Sequence, residues 1–347
     1  MSASDPSAQM RRVRVAGPDD IRVEKAPIPQ PGAGELLIRS QLIGVCGSDL
    51  HAVRGDHPFM TFPFFPGHEI IGQVAGHGPG VSEPDIGSRI VVEPNLFCGH
   101  CKQCKSGRYN LCEQLAVFGC TTPAGGMSDY FVIAADRVHL VPAGFSDAQA
   151  ALIEPLSTPV HAVRLAGGDL TDRTVAILGA GTIGLLTLAA VRAAGARRVV
   201  VTDLLKARRD RALRLGADAV VDAGESDPAS AVRSELGESA DVVFDCVSVQ
   251  STVDQAITMA LKGGTVIVVG VAAGPVNIAL QDIQDKQIKI QGSAMYTRED
   301  YAESMALIGG GHIQAQEIVT AVVPLDDAAD AFRLAKDSDQ VKVIIHT

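Results

Sequence analysis

The sequence predicts an α/β-plus-β chain: a β-rich, barrel-like domain joined to a doubly wound domain built on a parallel sheet. Three observations carry that expectation. The chain has 347 residues, a length that usually divides into two domains, each with its own core. Residues 1 to about 155 hold short β-type runs broken by Gly and Pro, as antiparallel strands do. From about 174 to 293 strand-like runs alternate with helix-length segments, which implies a parallel sheet with helices on both faces.

The elements follow in chain order. The segment Met1-Ser-Ala-Ser-Asp-Pro-Ser7 is polar, lacks the apolar stretch of a signal peptide and reads as a frayed tail. The β-type runs are Glu35-Leu-Leu-Ile-Arg39, Ile70-Ile-Gly-Gln-Val74, Arg89-Ile-Val-Val-Glu93 and Tyr130-Phe-Val-Ile133. Thr174 to Val191 is free of charge and nearly long enough to span a membrane. It opens, however, with the β-branched run Thr174-Val-Ala-Ile-Leu178 and is interrupted by Gly179, Gly181 and Gly184. A buried strand, a glycine turn and a buried helix account for it better than a span. Val199 to Thr202, Ala219 to Val221, Asp241 to Phe244 and Thr265 to Val269 continue the parallel sheet. Helices over Glu299 to Ile308 and Asp326 to Lys336 precede a terminal strand, Val341-Lys-Val-Ile-Ile345, expected to return to the first domain. The expected domains are therefore 1–155 with 297–347, and 156–296.

Composition excludes some partners. The apolar fraction of 46% and charged fraction of 20% suit a folded soluble protein. A formal net charge of −10 argues against a general nucleic-acid or anionic-membrane binder.

Cys98-x2-Cys101-x2-Cys104-x7-Cys112 places four of the seven cysteines in one short segment. Thiolates are soft ligands, and four of them can enclose one tetrahedral Zn²⁺. With every position filled by protein, such a zinc is structural. Gly99, Lys102, Lys105 and Gly107 suit a tight loop around a tetrathiolate anion. Unpaired thiols point to a reducing, cytoplasmic compartment. The alternative is a disulfide-knotted loop, which belongs more often to small secreted scaffolds.

Gly179-x-Gly181-x-x-Gly184 follows the run Val175 to Leu178 directly and opens the next helix; Asp203 lies at the end of the following strand. That context distinguishes a Rossmann dinucleotide site from a chance set of glycines. Gly179 permits the turn, Gly181 lets a pyrophosphate approach the backbone, and Gly184 lets helix and strand pack closely. The helix start, Thr182 and Ile183 included, offers amides and partial positive charge to phosphate. Asp203 suits the adenosine ribose hydroxyls and would repel a 2′-phosphate, which favours NAD. Lys206, Arg208 and Arg209 keep NADP open, and Arg208 is the cation expected beside the cofactor.

A second set of metal-type side chains comprises Cys46 in Gly44-Val-Cys-Gly-Ser-Asp-Leu-His51, His68 and Glu69 in Pro66-Gly-His-Glu69, and Glu154 in Ile153-Glu-Pro-Leu-Ser157. Individually they read equally as a buried thiol, a satisfied histidine and helix-start carboxylates.

Together, Gly67-His-Glu-x2-Gly72-x5-Gly78-x2-Val81, Gly44-Val-Cys-Gly-Ser-Asp49, the four-cysteine lobe, Glu154-Pro-Leu-Ser157 and Gly179-Ala-Gly-Thr-Ile-Gly184 resemble the medium-chain zinc-dependent alcohol dehydrogenases over essentially the whole chain. Glu69 and Glu154-Pro-Leu-Ser157 look like the polyol, butanediol and threonine dehydrogenase branch. The resemblance implies a GroES-like catalytic domain, two zincs per chain, NAD, and oxidation of a secondary alcohol, a diol or polyol, to the ketone. It implies Cys46 and His68 as ligands of a catalytic zinc lying between the domains. Glu69 would be a ligand or close neighbour, and Glu154 would bind the metal directly or through water. Ser48 and His51 match the family's proton relay; a turn hydrogen bond and an exposed helix histidine are the plain readings of the same residues. His57, Phe59, Phe118, Met295 and Tyr296 match pocket positions, each equally plausible as a core or lid residue.

Two departures bear on the substrate. Met295 stands where sorbitol-type enzymes usually carry an arginine, and a thioether cannot donate to hydroxyls, which favours a short vicinal diol or simple secondary alcohol. The intact thiolate lobe is the other, since several sorbitol dehydrogenases have lost it. Alternatives are a threonine 3-dehydrogenase-like enzyme, for which no residue suits the substrate carboxylate, and a non-catalytic dinucleotide-binding relative. A homodimer or homotetramer is expected, built on Thr265 to Val269 and Ile278 to Ile290. Cys246 reads as a packing residue. Cys120, His77, His100, His139, His161, His312 and His346 receive no role.

Overall fold

The computed structural model describes residues 9–337 and 339–347. The tail read from Met1 to Ser7 lies outside them. The chain divides into two compact units, Met1–Glu154 with Val319–Thr347, and Pro155–Ile318.

The first unit is built on strands β1 Gln9–Gly17, β2 Asp20–Pro27, β3 Glu35–Gly44, β4 Glu69–His77, β5 Arg89–Val92, β6 Asn95–Leu96, β7 Ala116–Val117, β8 Tyr130–Ala134 and β9 Val138–Leu140. The strands of the second unit are β10 Thr174–Leu178, β11 Arg198–Asp203, β12 Ala219–Asp222, β13 Ala240–Asp245, β14 Ala260–Val268 and β15 Lys289–Gly292. The first unit then resumes with β16 Val319–Pro324 and β17 Lys342–His346.

The main sheet of the first unit runs β16-β17-β3-β4-β5-β9, with β8 also on β3. All of its pairings are antiparallel except β16 with β17. One edge of β3 is shared by two strands: β8 covers Glu35 to Arg39, and β17 takes over from Leu42. Leu36, Ile43, Ile70, Val92, Phe131, Val343 and Ile345 meet in the core beneath it. The sequence did not suggest the hairpin β1–β2, because Arg11, Arg12, Arg14, Arg22, Glu24 and Lys25 interrupt its apolar residues. Within the hairpin Arg12 meets Glu24 at 2.6 Å, while Arg11, opposite Lys25, is neutralised from outside it by Asp129 at 2.7 Å.

The sheet of the second unit is parallel throughout, in the order β12-β11-β10-β13-β14-β15. This is a doubly wound order whose direction reverses between β10 and β13, and dinucleotides bind at such a reversal. All five residues of β10 are buried, which is why it reads as an uninterrupted apolar run. The uncharged stretch from Thr174 divides into β10, a turn, and the helix Thr182–Ala193. Among the described residues no helix is long and apolar enough to cross a membrane.

The chain returns to the first unit at Val319, not at residue 297. The helix Arg298–Gly309 stays with the second unit because polar ties fasten it to the helix Ile153–Leu165. Asp300 takes His161 Nδ1 at 2.9 Å and Arg164 at 3.0 Å, and Arg164 also reaches Glu303 at 2.8 Å. The segment 278–290 contains the helix Leu280–Lys286 and leads into the edge strand β15.

Candidate metal centres and dinucleotide site

Cys98, Cys101, Cys104 and Cys112 converge, with their sulfurs all within 4.8 Å of one another. Four sulfurs bound to one zinc at about 2.3 Å stand about 3.8 Å apart in a tetrahedron. The observed separations are 3.5 Å for Cys101–Cys104 and 4.0 Å for Cys98–Cys104 and Cys101–Cys112. Backbone amides point at the sulfurs, from Cys101 to Cys98, from Cys104 to Cys101, and from Cys98 and Gln114 to Cys112, at 3.3–3.5 Å. Such donors favour thiolates: amides at Cys104 and Glu113 draw the Cys101 thiol down to about 6. The donor set fits zinc, and all seven cysteines are free.

Cys46, His68 and Glu69 form a second convergence, again with donor atoms within 4.8 Å of one another. Cys46 caps the helix Gly47–Arg54, its amide held by Asp49 Oδ2 at 3.0 Å. Asp49 is fully buried, and its Oδ1 has no hydrogen-bond partner. His68 precedes β4 and is buried. Burial opposes a charge on its ring, yet Cys120, Asp49 and Cys46 together raise its pKa well above the ordinary histidine value.

Glu69 begins β4 and is clasped by Lys342 of β17, whose Nζ lies 2.7 Å from both carboxylate oxygens and also donates to Val45 O at 3.2 Å. Each side chain is only 2% exposed. The carboxylate lies where any side chain at Gly44 would collide with it. Glu154, in the first turn of Ile153–Leu165, is buried but does not belong to the three-residue group. It contributes to the field that favours a charged Lys342.

Ser48 and His51 lie on the helix that Cys46 caps, one turn apart and so on neighbouring positions of its surface. His51 Nδ1 lies 3.2 Å from Arg54. Burial, and then the Arg54 charge, lower its pKa, so the ring stays neutral and able to accept a proton. His57 is close enough to His51 and His68 for both to depress its protonation, behind burial as the main cause. Phe59 packs edge-on to His57 and is 73% exposed.

The other pocket candidates are seated differently. Phe118 stacks on Phe131 with centroids 5.2 Å apart and belongs to the core of the first unit. Tyr296 is buried against Tyr301 at 5.4 Å in the second unit, while neighbouring Met295 is half-buried in the left-handed region at φ 53°.

In the second unit, Gly179 has φ 93°, and a side chain there would strike Val247. Gly184 packs directly on the carbonyl of Gly179. Gly181 caps the helix Thr182–Ala193, and a Cβ at that position would meet nothing within 4 Å. Packing therefore does not demand glycine at 181; a ligand brought against the backbone does, and the cradle fits a pyrophosphate. Asp203 closes the turn, accepting from Ala180 N and Leu205 N at 2.9 Å each. Arg209 is committed to the carbonyls of Asp203 and Leu204 and to Asp222, and Lys206 to Asp210. Arg208 lies 3.9 Å from Asp203. Cys246 packs near Thr187, and burial pushes its thiol up to about 12, in keeping with a packing role.

Sequence reasoning missed Lys342 and Cys120. No local signal marks either, because each meets its partner through the fold: Cys120 Sγ lies 3.2 Å from His68 Nδ1.

Residues 32–143 match the alcohol dehydrogenase GroES-like domain, and residues 182–309 the zinc-binding dehydrogenase domain. The chain is 34% identical to sorbitol dehydrogenase of Mus musculus over 340 residues, covering 95% of this chain and 94% of that protein. It is 31% identical to D-xylulose reductase A of Aspergillus oryzae over 355 residues, 99% of each. The crystal structure of 2R,3R-butanediol dehydrogenase from Bacillus subtilis superposes with a TM-score of 0.89 at 31% identity, covering 97% of this chain and 99% of that one.

Proposed function

The chain belongs to the medium-chain zinc-dependent alcohol dehydrogenases, and from that premise we propose that it oxidises a small diol or polyol at a secondary carbinol, with NAD as hydride acceptor. The observation that carries this reading is the convergence of Cys46, His68 and Glu69 beside the helix bearing Ser48 and His51. When bound, zinc polarises the carbinol oxygen and NAD takes up the hydride. Cys46 and His68 would hold the metal, with Glu69, neutralised by Lys342, as a further ligand or close neighbour, and Glu154 would bind it directly or through water.

Ser48 takes the carbinol proton, and His51 relays it to solvent. A neutral imidazole at the working pH suits that task. The glycine turn from Gly179 to Gly184, with Thr182 and Ile183, holds the pyrophosphate, while Asp203 and Arg208 engage the adenosine ribose. The Asp203 carboxylate at the end of β11, which would repel a 2′-phosphate, supports NAD over NADP. Met295 offers no donor for a chain of hydroxyls, so a short vicinal diol is preferred over sorbitol. His57 and Phe59 would line the entrance to the pocket.

The outer edge of β15 ends its sheet and suits pairing with a second copy in a homodimer or homotetramer. Free thiols suit a reducing, cytoplasmic setting. NADH formation measured over butanediol stereoisomers, sorbitol, xylitol, threonine and simple secondary alcohols tests the reading. Activity on a butanediol with little on sorbitol is the expected result. Sorbitol or xylitol as best substrate overturns the role of Met295, and silence across the panel overturns the substrate class.

A further inference from the structure

We propose that Cys120 is the positioning residue for His68: its sulfur accepts a hydrogen bond from the Nδ1–H of the imidazole and thereby turns Nε2 toward the metal. The proposal rests on the catalytic-zinc reading above. A histidine that binds metal through one nitrogen nearly always gives the hydrogen on the other to a carboxylate, a carbonyl or water, which fixes both tautomer and ring angle. Here the nearest carboxylate does not fill that place. Asp49 Oδ1 is 3.8 Å from Nδ1, beyond hydrogen-bond length, and Oδ2 is committed to the amide of Cys46. Cys120 Sγ, at 3.2 Å, is the partner within reach.

The loop carrying Cys120 is built to hold it there. Gly119 has φ 76° and no side chain, and a Cβ on it would come 3.0 Å from His68 N and closer still to the carbonyl of Gly67. The bare backbone of Gly119 therefore rests directly on Gly67–His68. Farther along, Gly126 N donates to Gly67 O at 2.8 Å and Met127 N to Pro66 O at 3.0 Å. The loop is thus fastened to the backbone of the ligand on both sides of Cys120, which leaves the sulfur little freedom to leave Nδ1.

The test uses the full-length, zinc-loaded protein. Competition with a chromogenic chelator reads the affinity of the catalytic zinc, and Co²⁺ substituted at that site reports ligand geometry through its absorption bands. Cys120→Ala is expected to weaken the metal about 10- to 100-fold and to alter the cobalt bands, with the structural zinc and the melting temperature unchanged. Cys120→Ser, which keeps an acceptor, should recover most of that loss. Parental affinity and bands in Cys120→Ala, a serine variant no better than alanine, or a larger loss in Asp49→Asn would each overturn the proposal. Independently of any variant, ¹⁵N-labelled histidine spectra of the zinc-loaded protein should show His68 with its proton on Nδ1; metal on Nδ1 overturns the proposal. A parent that binds one zinc instead of two overturns the catalytic-zinc reading itself, and this inference with it.

Discussion

Replacing Lys342 with methionine would leave Glu69 as a carboxylate buried at 2% exposure without its cation. Removing one partner of a buried, hydrogen-bonded ion pair costs about 3 to 5 kcal/mol, because the remaining charge has lost both water and counter-charge. For a domain of this size each kcal/mol moves the melting midpoint by about 2 to 4 °C, so Lys342→Met should melt about 6 to 20 °C lower. Glu69→Gln in the Lys342→Met background removes the orphaned charge and should recover at least half of the loss, a coupling that two independent sites would not show. The protein has no tryptophan, so circular dichroism in zinc-replete buffer is the natural probe. A pH series adds a signed check. Burial works against the charge on Lys342, but Glu69 and Cys46 outweigh it and raise its pKa above 10.5. The stabilisation is therefore complete below 10.5 and lost as pH climbs through the raised value, and Lys342→Met should lack that alkaline loss. A single variant melting within about 2 °C of the parent, or a double variant no better than the single, would refute the reasoning.

Cys101→Ser should reduce zinc content from two per chain to one, read by atomic absorption, and lower the melting midpoint without displacing the second metal. Asp203→Ser removes a carboxylate within reach of Arg208; it should raise KM for NAD about 10- to 100-fold, the worth of a hydrogen bond to a charged group, and improve use of NADP. In steady-state rates, His51→Gln should lower kcat and erase an acid limb. Because burial and Arg54 depress the pKa of His51, that limb lies below 6.5 in the parent, where the ring becomes protonated and can no longer accept.

What could be read from the sequence follows from how far apart the partners stand along the chain. The thiolate lobe and the glycine turn were legible because neighbouring residues build them, and their spacing already encodes the geometry. Cys46, His68 and Glu69 needed the resemblance, since each alone reads as an ordinary core residue. Lys342 could not be seen: it pairs with Glu69 across 273 residues, and a lysine within a terminal apolar strand looks like a solvated edge position. Cys120 meets His68 across 52 residues through a loop whose docking depends on the bare backbone of Gly119. Phe118 and Tyr296 are both buried, and an aromatic near a pocket and an aromatic in the core carry the same letter. The boundary drawn at 297 failed for a related reason: the ties that hold Arg298–Gly309 to the second unit are polar, and an apolar pattern does not announce them.

The first unit is assembled from two separated stretches of chain, and that arrangement sets an order of events during synthesis. Residues 155–318 are contiguous, so the second unit can close while translation continues. The first unit cannot, because β17, which follows the whole second unit in the chain, supplies both a strand against β3 and the ammonium that neutralises Glu69. Until it docks, one edge of β3 from Leu42 to Gly44 is unpaired and the carboxylate beside Cys46 and His68 is uncompensated. Completion of the metal pocket is therefore a post-translational event, and a message interrupted anywhere before codon 342 yields a closed nucleotide-binding half attached to a catalytic half that cannot mature.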